Sequence, residues 1–491
     1  MNNSIWRRKP MEAFEADMQK SELKRVLGKW SLTAIGIGAI IGGGVFVLTG
    51  TAAHFHAGPA LAISFIIAGL GCIFAALCYA EFAAMLPVEG SAYAYAYGTV
   101  GEIFAWIIGW GLILEYAMGA MTVAVSWSGY FTKLLKLFHI DIPYYLRNDP
   151  VSAKEYAMAN GLAAPEWAVN LPALVSVWFV TWILVKGIKE AASANNLIVI
   201  LKVAVILFVI IVGVFYVNVQ NWTPFIPEQT MIMHDSGVEQ PAYGWGGIIS
   251  GASAIFFAYI GFDAVSTQAG EAINPKKDMP FAIIASLLIC TILYIAVSLV
   301  LTGMMNYKDI VGDALKAPVA YAFDAAGQPW AVFVITAAAT AGLLSVMLVM
   351  MLGQTRVFLG MAKDGLLPKF FSEIHPTFKT PWKSTILVGA IVSIVSGLTP
   401  ISLLGDMTSF GTLFAFTMVC LAVWLLRFKD PERARPFKAP IINLVAPLGI
   451  VVNSFLIYNL GDEAKKFAIY WLIFGLVVYF IYGKPNSKLN K

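Results

Sequence analysis

The chain has 491 residues, of which 59% are hydrophobic, 13% aromatic and only 13% charged. Soluble domains carry about 25% Asp, Glu, Lys and Arg, so roughly half the usual charge is missing. That balance excludes disorder, a coiled coil, a secreted disulfide scaffold and a nucleic-acid-binding module. Apolar runs of about 20 residues recur from end to end, as in a polytopic membrane protein.

The first 30 residues are polar and basic and show no signal-peptide pattern, which places the start on the side of synthesis. Apolar runs then predict spans at 31–53, 58–84, 102–133, 170–186, 194–217, 246–269, 280–304, 330–355, 382–398, 403–427, 440–460 and 467–483. Twelve spans put both termini on one face. Of the 33 Lys and Arg residues, 24 fall on the face of the N-terminus and eight on the opposite one. Those eight are Lys133, Lys136, Arg147, Lys154, Lys308, Lys316, Lys465 and Lys466; the remaining cation, Lys202, lies inside a span. The threefold bias predicts a cytoplasmic N-terminus and a multi-pass cell-membrane protein with both termini cytoplasmic.

Between spans two and three, Gly90–Gly101 (GSAYAYAYGTVG) is uncharged and aromatic but too short to cross. It reads as a cytoplasmic re-entrant or amphipathic element, or as an interfacial loop held by tyrosines. Segments 134–169 and 218–245 are the main outside loops, expected to be partly ordered. The four cysteines (Cys72, Cys78, Cys290, Cys420) sit in apolar runs, and the histidines (His54, His56, His139, His234, His375) at span ends or in loops. No spacing resembles a zinc site or a framework disulfide. Neither a metal nor a cofactor is expected.

Span one carries GIGAIIGGGVF (36–46), and glycine costs about 1 kcal/mol per position relative to alanine in a helix interior. Span six carries a second interruption, FFAYIGFDAVS (256–266), with Gly261 beside Asp263. Spans one to five (31–217) and six to ten (246–427) form blocks of similar length. Five being odd, the second block enters from the opposite face. Glycine interruptions at equivalent positions of two inverted halves point to a transporter binding site at the midplane. Unwound backbone there offers amides to a carboxylate and carbonyls to an ammonium group. The alternative for Gly38–Gly42 is close helix packing of the GxxxG kind.

The run LGKWSLTAIGIGAIIGGGVFVLTG (27–50) resembles the first helix of the amino acid–polyamine–organocation permeases. ALCYAEFAAMLPVEGSAYAYAY (76–97), FFAYIGFDAVSTQAGEAINPKKDMP (256–280) and MAKDGLLPKFFSEIHPTFKTP (361–381) are similar to its cationic-amino-acid-transporter branch. The resemblance covers essentially the whole chain. It implies an all-α fold of 12 transmembrane helices, a leucine-transporter-like 5+5 inverted repeat with broken helices one and six, and amino acid uptake. It also implies that Ile40, Gly42, Gly43, Gly44, Phe257, Ala258 and Ile260 hold the substrate backbone, that Phe257 gates the route, and that Gly119 and Met347 face the substrate side chain. One departure stands out: where this branch usually has a hydroxyl residue, the chain has Gly43.

Three ionisable residues lie well inside spans, at about 2.5–3.5 kcal/mol each on insertion scales: Glu115, Lys202 and Asp263. Lys202 either snorkels to the interface or, resembling the lysine that takes a sodium position in proton-coupled members, links substrate to a proton. Glu115 is expected to partner Lys202 or to bond a neighbouring helix. Asp263 is expected to bond the backbone at the break in span six. Glu81 and Asp406, near span ends, read as interfacial. Met347 and the lack of an acidic residue in the pocket favour small neutral amino acids over cationic ones. The expected function is proton-coupled uptake of L-amino acids, with protons, substrate and membrane lipids as partners. A cationic amino acid transporter and an amino acid exchanger remain as alternatives. A sodium symporter fits less well, since Leu344 beside Ser345 is a poor ligand pair and Lys202 brings a competing charge. An enzyme or channel lacks any intramembrane His/Asp/Cys constellation or ring-forming repeat.

Overall fold

The computed structural model describes residues 5–10, 27–85, 91–187, 191–233, 239–263, 265–266 and 272–490. His234, Gly90 and the end of the sixth predicted span lie outside the described residues.

The chain is predominantly helical. Among the described residues, seven helices are long and apolar enough to cross a membrane, and Leu171–Lys186, Trp382–Leu398 and Ile442–Tyr458 are shorter apolar helices. Their outward faces carry large apolar side chains such as Trp178, Phe179, Ile211, Ile292, Phe455 and Phe474, as a lipid-facing surface requires.

The first span is two pieces. Helix α1 (Lys29–Ile40) stops at Ile41, whose ψ of 102° is extended rather than helical. After Gly43 the chain resumes as a π-turn (Gly44–Leu48), α2 (Thr49–Ala52) and a second π-turn (Ala53–Ala57). A 3-10 turn, Gly58–Ala60, then leads into α3 (Leu61–Met85).

Helix α4 (Ser91–Thr99) is the AYAYAY segment. It is buried on every side rather than amphipathic, with Ala92 to Tyr97 all under a tenth exposed. Its tyrosines find polar partners inside the protein: Tyr93 donates to Asp364, Tyr95 to the Ser266 carbonyl and Tyr97 to Glu102. That satisfaction of each hydroxyl is what lets a tyrosine-rich helix bury.

Helix α5 (Glu102–Leu137) is the central mast. The loop after it holds α6 (Tyr144–Arg147) and α7 (Pro150–Ala159), the latter capped by the Asp149 carboxylate. Helices α8 (Leu171–Lys186) and α9 (Ala191–Gly213) follow, then a hairpin of β1 (Thr230–Met233) and β2 (Glu239–Ala242).

The sixth span opens with α10 (Gly244–Ala254) and a 3-10 turn (Ile255–Tyr259), then breaks at Ile260 and at Gly261, with φ +118°. Helix α11 (Pro275–Met304) leads to the short α12 (Pro318–Ala325) and to α13 (Pro329–Lys363). Helices α14 (Trp382–Leu398), α15 (Ile401–Lys429), α16 (Ile442–Tyr458) and α17 (Asp462–Val478) complete the bundle. The most extensive helix pairings are α5 with α13 and α3 with α11, and α8 packs along α14.

Glu81, expected at the interface, is fully buried. Its carboxylate accepts two bonds from Arg427, at 2.9 and 2.7 Å, and one from the Ala439 amide, and Arg435 lies 3.3 Å away. Two guanidinium groups make burial of that charge tolerable.

Candidate functional site

The two interruptions meet at the centre of the bundle. A Cβ on Gly44 would lie 2.3 Å from the Ala258 Cα, and one on Gly261 would lie 2.6 Å from the Ala39 carbonyl carbon. Only glycine permits backbone to approach backbone this closely, and the φ of Gly261 excludes a side chain in any case. The sequence glycines therefore hold the two breaks against each other.

Each end of the broken first helix has its own polar arrangement. Beyond the break, Phe46 N–H bonds the Gly42 carbonyl, so the amides before it, at the start of the second half, lack intrahelical acceptors. Before the break, the last carbonyls of α1 are held by one amide of its own chain and by two side chains from other helices. Ile41 N–H takes the Ile37 carbonyl at 2.9 Å, Tyr294 donates to Ile40 O at 2.8 Å, and Lys202 Nζ donates to Gly38 O at 2.8 Å. Lys202 is 1% exposed, and its stem lies against Gly342 of α13. A cation at the C-terminal end of α1 is also the favourable sign for the helix dipole. Lys202 thus points inward, and snorkelling to the interface is ruled out by its geometry.

The expected Glu115–Lys202 pair does not form: Lys202 bonds α1, while Glu115 lies against α15. Gly411 of α15 packs directly on the Glu115 backbone, with the Thr412 hydroxyl beside the carboxyl group. Neither Glu115 oxygen has a hydrogen-bond partner among the described residues. The Asp263 carboxyl group also lies within its neighbourhood, together with Tyr79 and Tyr116. Asp263 bonds the break as expected: its Oδ1 accepts from Gly261 N–H at 3.1 Å, and its Oδ2 accepts from the Tyr116 hydroxyl at 3.0 Å.

The lining at the break is apolar and buried. Ile40, Phe257, Ala258, Ile260 and Met347 are all under 5% exposed. Phe257 reaches both Gly43 and Gly119, 3.7 and 3.6 Å from where their Cβ atoms would stand. On α13 the side chains against the glycines are Val346, facing Gly42, and Met350, facing Gly119. Met347, expected to face the substrate side chain, is fully buried on the same helix but is not among the side chains nearest these two glycines.

A family model described as amino acid permease matches residues 27–482. The chain belongs to the amino acid permease family. It is 44% identical to the branched-chain amino acid permease BcaP of Bacillus subtilis (strain 168) over the full length of both chains. To the methylthioribose transporter of the same organism it is 42% identical, again over both full lengths. The cationic amino acid transporter 4, vacuolar, of Arabidopsis thaliana is 36% identical across 88% of this chain and 68% of that one. The resemblance to the amino acid–polyamine–organocation permeases is thereby established.

Sequence reading of this permease missed three contributors. Ser126 of α5 presents its hydroxyl 2.9 Å from where a Gly43 Cβ would be, while donating to the Thr122 carbonyl at 2.8 Å. A hydroxyl therefore stands beside the position where the cationic branch usually carries one. Ser409 of α15 accepts from Phe257 N–H at 3.2 Å and donates to the Ala254 carbonyl at 3.0 Å, bracing the end of α10. Val346 is the third. None carries a charge or a motif, so only the fold reveals them.

Proposed function

We propose that this permease takes up L-amino acids with protons by alternating access, with neutral side chains preferred over cationic ones. The observation that carries the coupling reading is the Lys202 ammonium bonded to the Gly38 carbonyl, four residues before the break in the first span. A proton leaving Lys202 weakens a charge-assisted bond that ties α9 to α1, so protonation and the position of the broken helix are linked.

The substrate reading rests on the lining. Two relatives of nearly equal identity are named for a branched-chain amino acid and for methylthioribose, so identity alone selects neither. Ile40, Val346, Met350 and Phe257 surround the glycines with apolar surface, which suits an aliphatic side chain, while the amides after Gly42 suit a carboxylate.

The wider architecture belongs to the same proposal. The permease has 12 spans, arranged as two inverted repeats at 31–217 and 246–427 and a final pair at 440–483, with both termini in the cytoplasm. The cation bias between faces supports the orientation. The pairings α3 with α11, α5 with α13 and α8 with α14 join span two to seven, three to eight and four to nine, as a two-fold relation between halves predicts.

Proteoliposome uptake of alanine, leucine, arginine and methylthioribose, each with and without an imposed pH gradient, tests the reading. Gradient-driven, sodium-independent accumulation of alanine or leucine is the expected result. Trans-stimulated exchange indifferent to the gradient, or uptake confined to arginine or methylthioribose, overturns it.

A further inference from the structure

Both ends of the chain return to the body of the permease at one place. Residues 5–10 run beside the start of α5. Glu102 N–H bonds the Arg7 carbonyl at 2.8 Å, Ile103 N–H the Ile5 carbonyl at 3.1 Å, and Lys9 N–H the Tyr97 carbonyl at 3.0 Å. The first two bonds give acceptors to amides that the start of a helix leaves open. Residues 484–490 lie against the end of α13. Lys488 N–H bonds the Asp364 carbonyl at 3.0 Å, and a Cβ on Gly365 would lie 2.4 Å from the Asn486 carbonyl oxygen. The two termini thus cover the ends of α5 and α13, the most extensive helix pairing in the bundle.

Two carboxylates join these segments. Glu102 is fully buried and accepts from Arg7 at 3.0 Å, Tyr97 at 3.1 Å, Tyr479 at 3.0 Å and Ser487. Asp364 accepts from Lys9 Nζ at 3.2 Å and from Tyr93 at 2.8 Å. Arg7 also donates to the Asn490 side chain, so the two termini touch each other directly. Withdrawing the N-terminal segment takes the guanidinium from a buried carboxylate, and withdrawing the tail takes a hydroxyl donor from the same group. A buried charge is costly in either state, so each terminus favours the docking of the other.

Helix α4 carries this arrangement to the broken sixth span. Its Tyr93 and Tyr97 bond the two carboxylates, while Tyr95 donates to the Ser266 carbonyl at 3.3 Å. Ser266 in turn donates to the carbonyl of Asp263, the residue that holds Gly261 at the break. We propose that the two termini form a single latch, which keeps α4 seated on the sixth span and so holds the permease closed toward the face of the termini. Release of either terminus loosens α4 and opens a way to Ser266. The latch rests on the alternating access proposed above but on neither the substrate nor the proton, and its test needs no transport.

The test is the rate at which a membrane-impermeant maleimide labels Ser266→Cys in the full chain in nanodiscs, read by peptide mass spectrometry. Ser266 and the four native cysteines are all buried, so labelling of the parent is slow at every thiol. Arg7→Gln removes a bond to Glu102, and Ser487→Asp replaces another with a second carboxylate. Each should speed labelling of the introduced thiol at least about tenfold, as loss of one hydrogen bond to a charged group predicts, and leave the native cysteines slow. Lys9→Gln should do the same through Asp364, leaving the Glu102 side-chain bonds intact. Lys466→Gln, which breaks an exposed pair with Glu463, should change nothing. With one latch, Arg7→Gln combined with Ser487→Asp is no faster than the faster single variant. Unchanged labelling in Arg7→Gln, Ser487→Asp and Lys9→Gln, equal gains at the native cysteines, or factors that multiply in the double variant overturn the proposal.

Discussion

Replacing Lys202 by methionine separates charge from volume, because both side chains are unbranched and of similar length. The stem that packs on Gly342 is kept, while the bond from Nζ to the Gly38 carbonyl is lost. That carbonyl is then buried without its side-chain donor, at a cost of about 1–3 kcal/mol. The variant should fold with a lowered melting temperature. The functional consequence is separate from that cost. If one lysine carries one proton per cycle, a pH difference of one unit supplies about 1.4 kcal/mol, or a tenfold accumulation of a neutral substrate. The Lys202→Met protein should lose that factor, its steady-state ratio of internal to external alanine falling to about one. Counterflow exchange, which needs only the carrier and its substrate, should persist. The assay is radiolabelled alanine uptake into proteoliposomes at imposed gradients of zero and one unit, beside counterflow on the same preparation. A variant that still accumulates alanine tenfold refutes the assignment of the proton to Lys202. A variant inactive in both assays points to a structural lesion and refutes the separation of charge from volume.

Gly44→Ala should abolish uptake while the protein still reaches the membrane. Its new Cβ falls 2.3 Å from the Ala258 Cα, so the two breaks must part by more than 1 Å, which transport assays on surface-quantified protein detect. Ser126→Ala should raise the KM for alanine about two- to tenfold with little change in stability, as loss of one hydrogen bond predicts, and uptake kinetics measure it. Asp263→Ala removes acceptors from Gly261 N–H and the Tyr116 hydroxyl, and should lower thermal stability more than Glu115→Gln, whose oxygens have no hydrogen-bond partner among the described residues. Glu81→Gln leaves the buried Arg435 and the part-buried Arg427 without a carboxylate and should cost about 3–5 kcal/mol, visible as sharply reduced yield of folded protein.

Much of the fold was legible because a membrane imposes its own arithmetic. Span lengths follow from bilayer thickness, and charge placement separates the two faces, so the helices lie close to where the apolar runs predict them. The breaks were legible for a related reason: glycines in a helix interior are costly, and at Gly44 and Gly261 the close approach of two backbones explains the cost. Side-chain direction was not legible. Helical spacing places Lys202 and Glu115 at membrane depth but says nothing of which neighbour each meets, and charge complementarity alone joined two residues that the packing of α1 and α15 keeps apart. The AYAYAY segment misled in another way, since hydroxyls that look amphipathic in sequence are satisfied inside the protein by Asp364, Ser266 and Glu102.

The departure at Gly43 is where the physical reading gains most. With no side-chain hydroxyl at Gly43, the broken helix itself offers a carboxylate only backbone amides. The structure instead sets the Ser126 hydroxyl beside the same point, carried by α5 rather than by the broken helix. Its proton is committed to the Thr122 carbonyl, so the hydroxyl must rotate to donate to a carboxylate, at the loss of that intrahelical bond. In the alternating access proposed above, a donor on the broken helix would travel with the substrate, whereas one on α5 would meet it only when the helices close. Substrate binding and closure are then coupled through a single hydroxyl. Ser126→Ala should therefore slow closure-dependent uptake more than it weakens substrate binding at equilibrium. Equal losses in the two measurements would place Ser126 as an ordinary substrate contact.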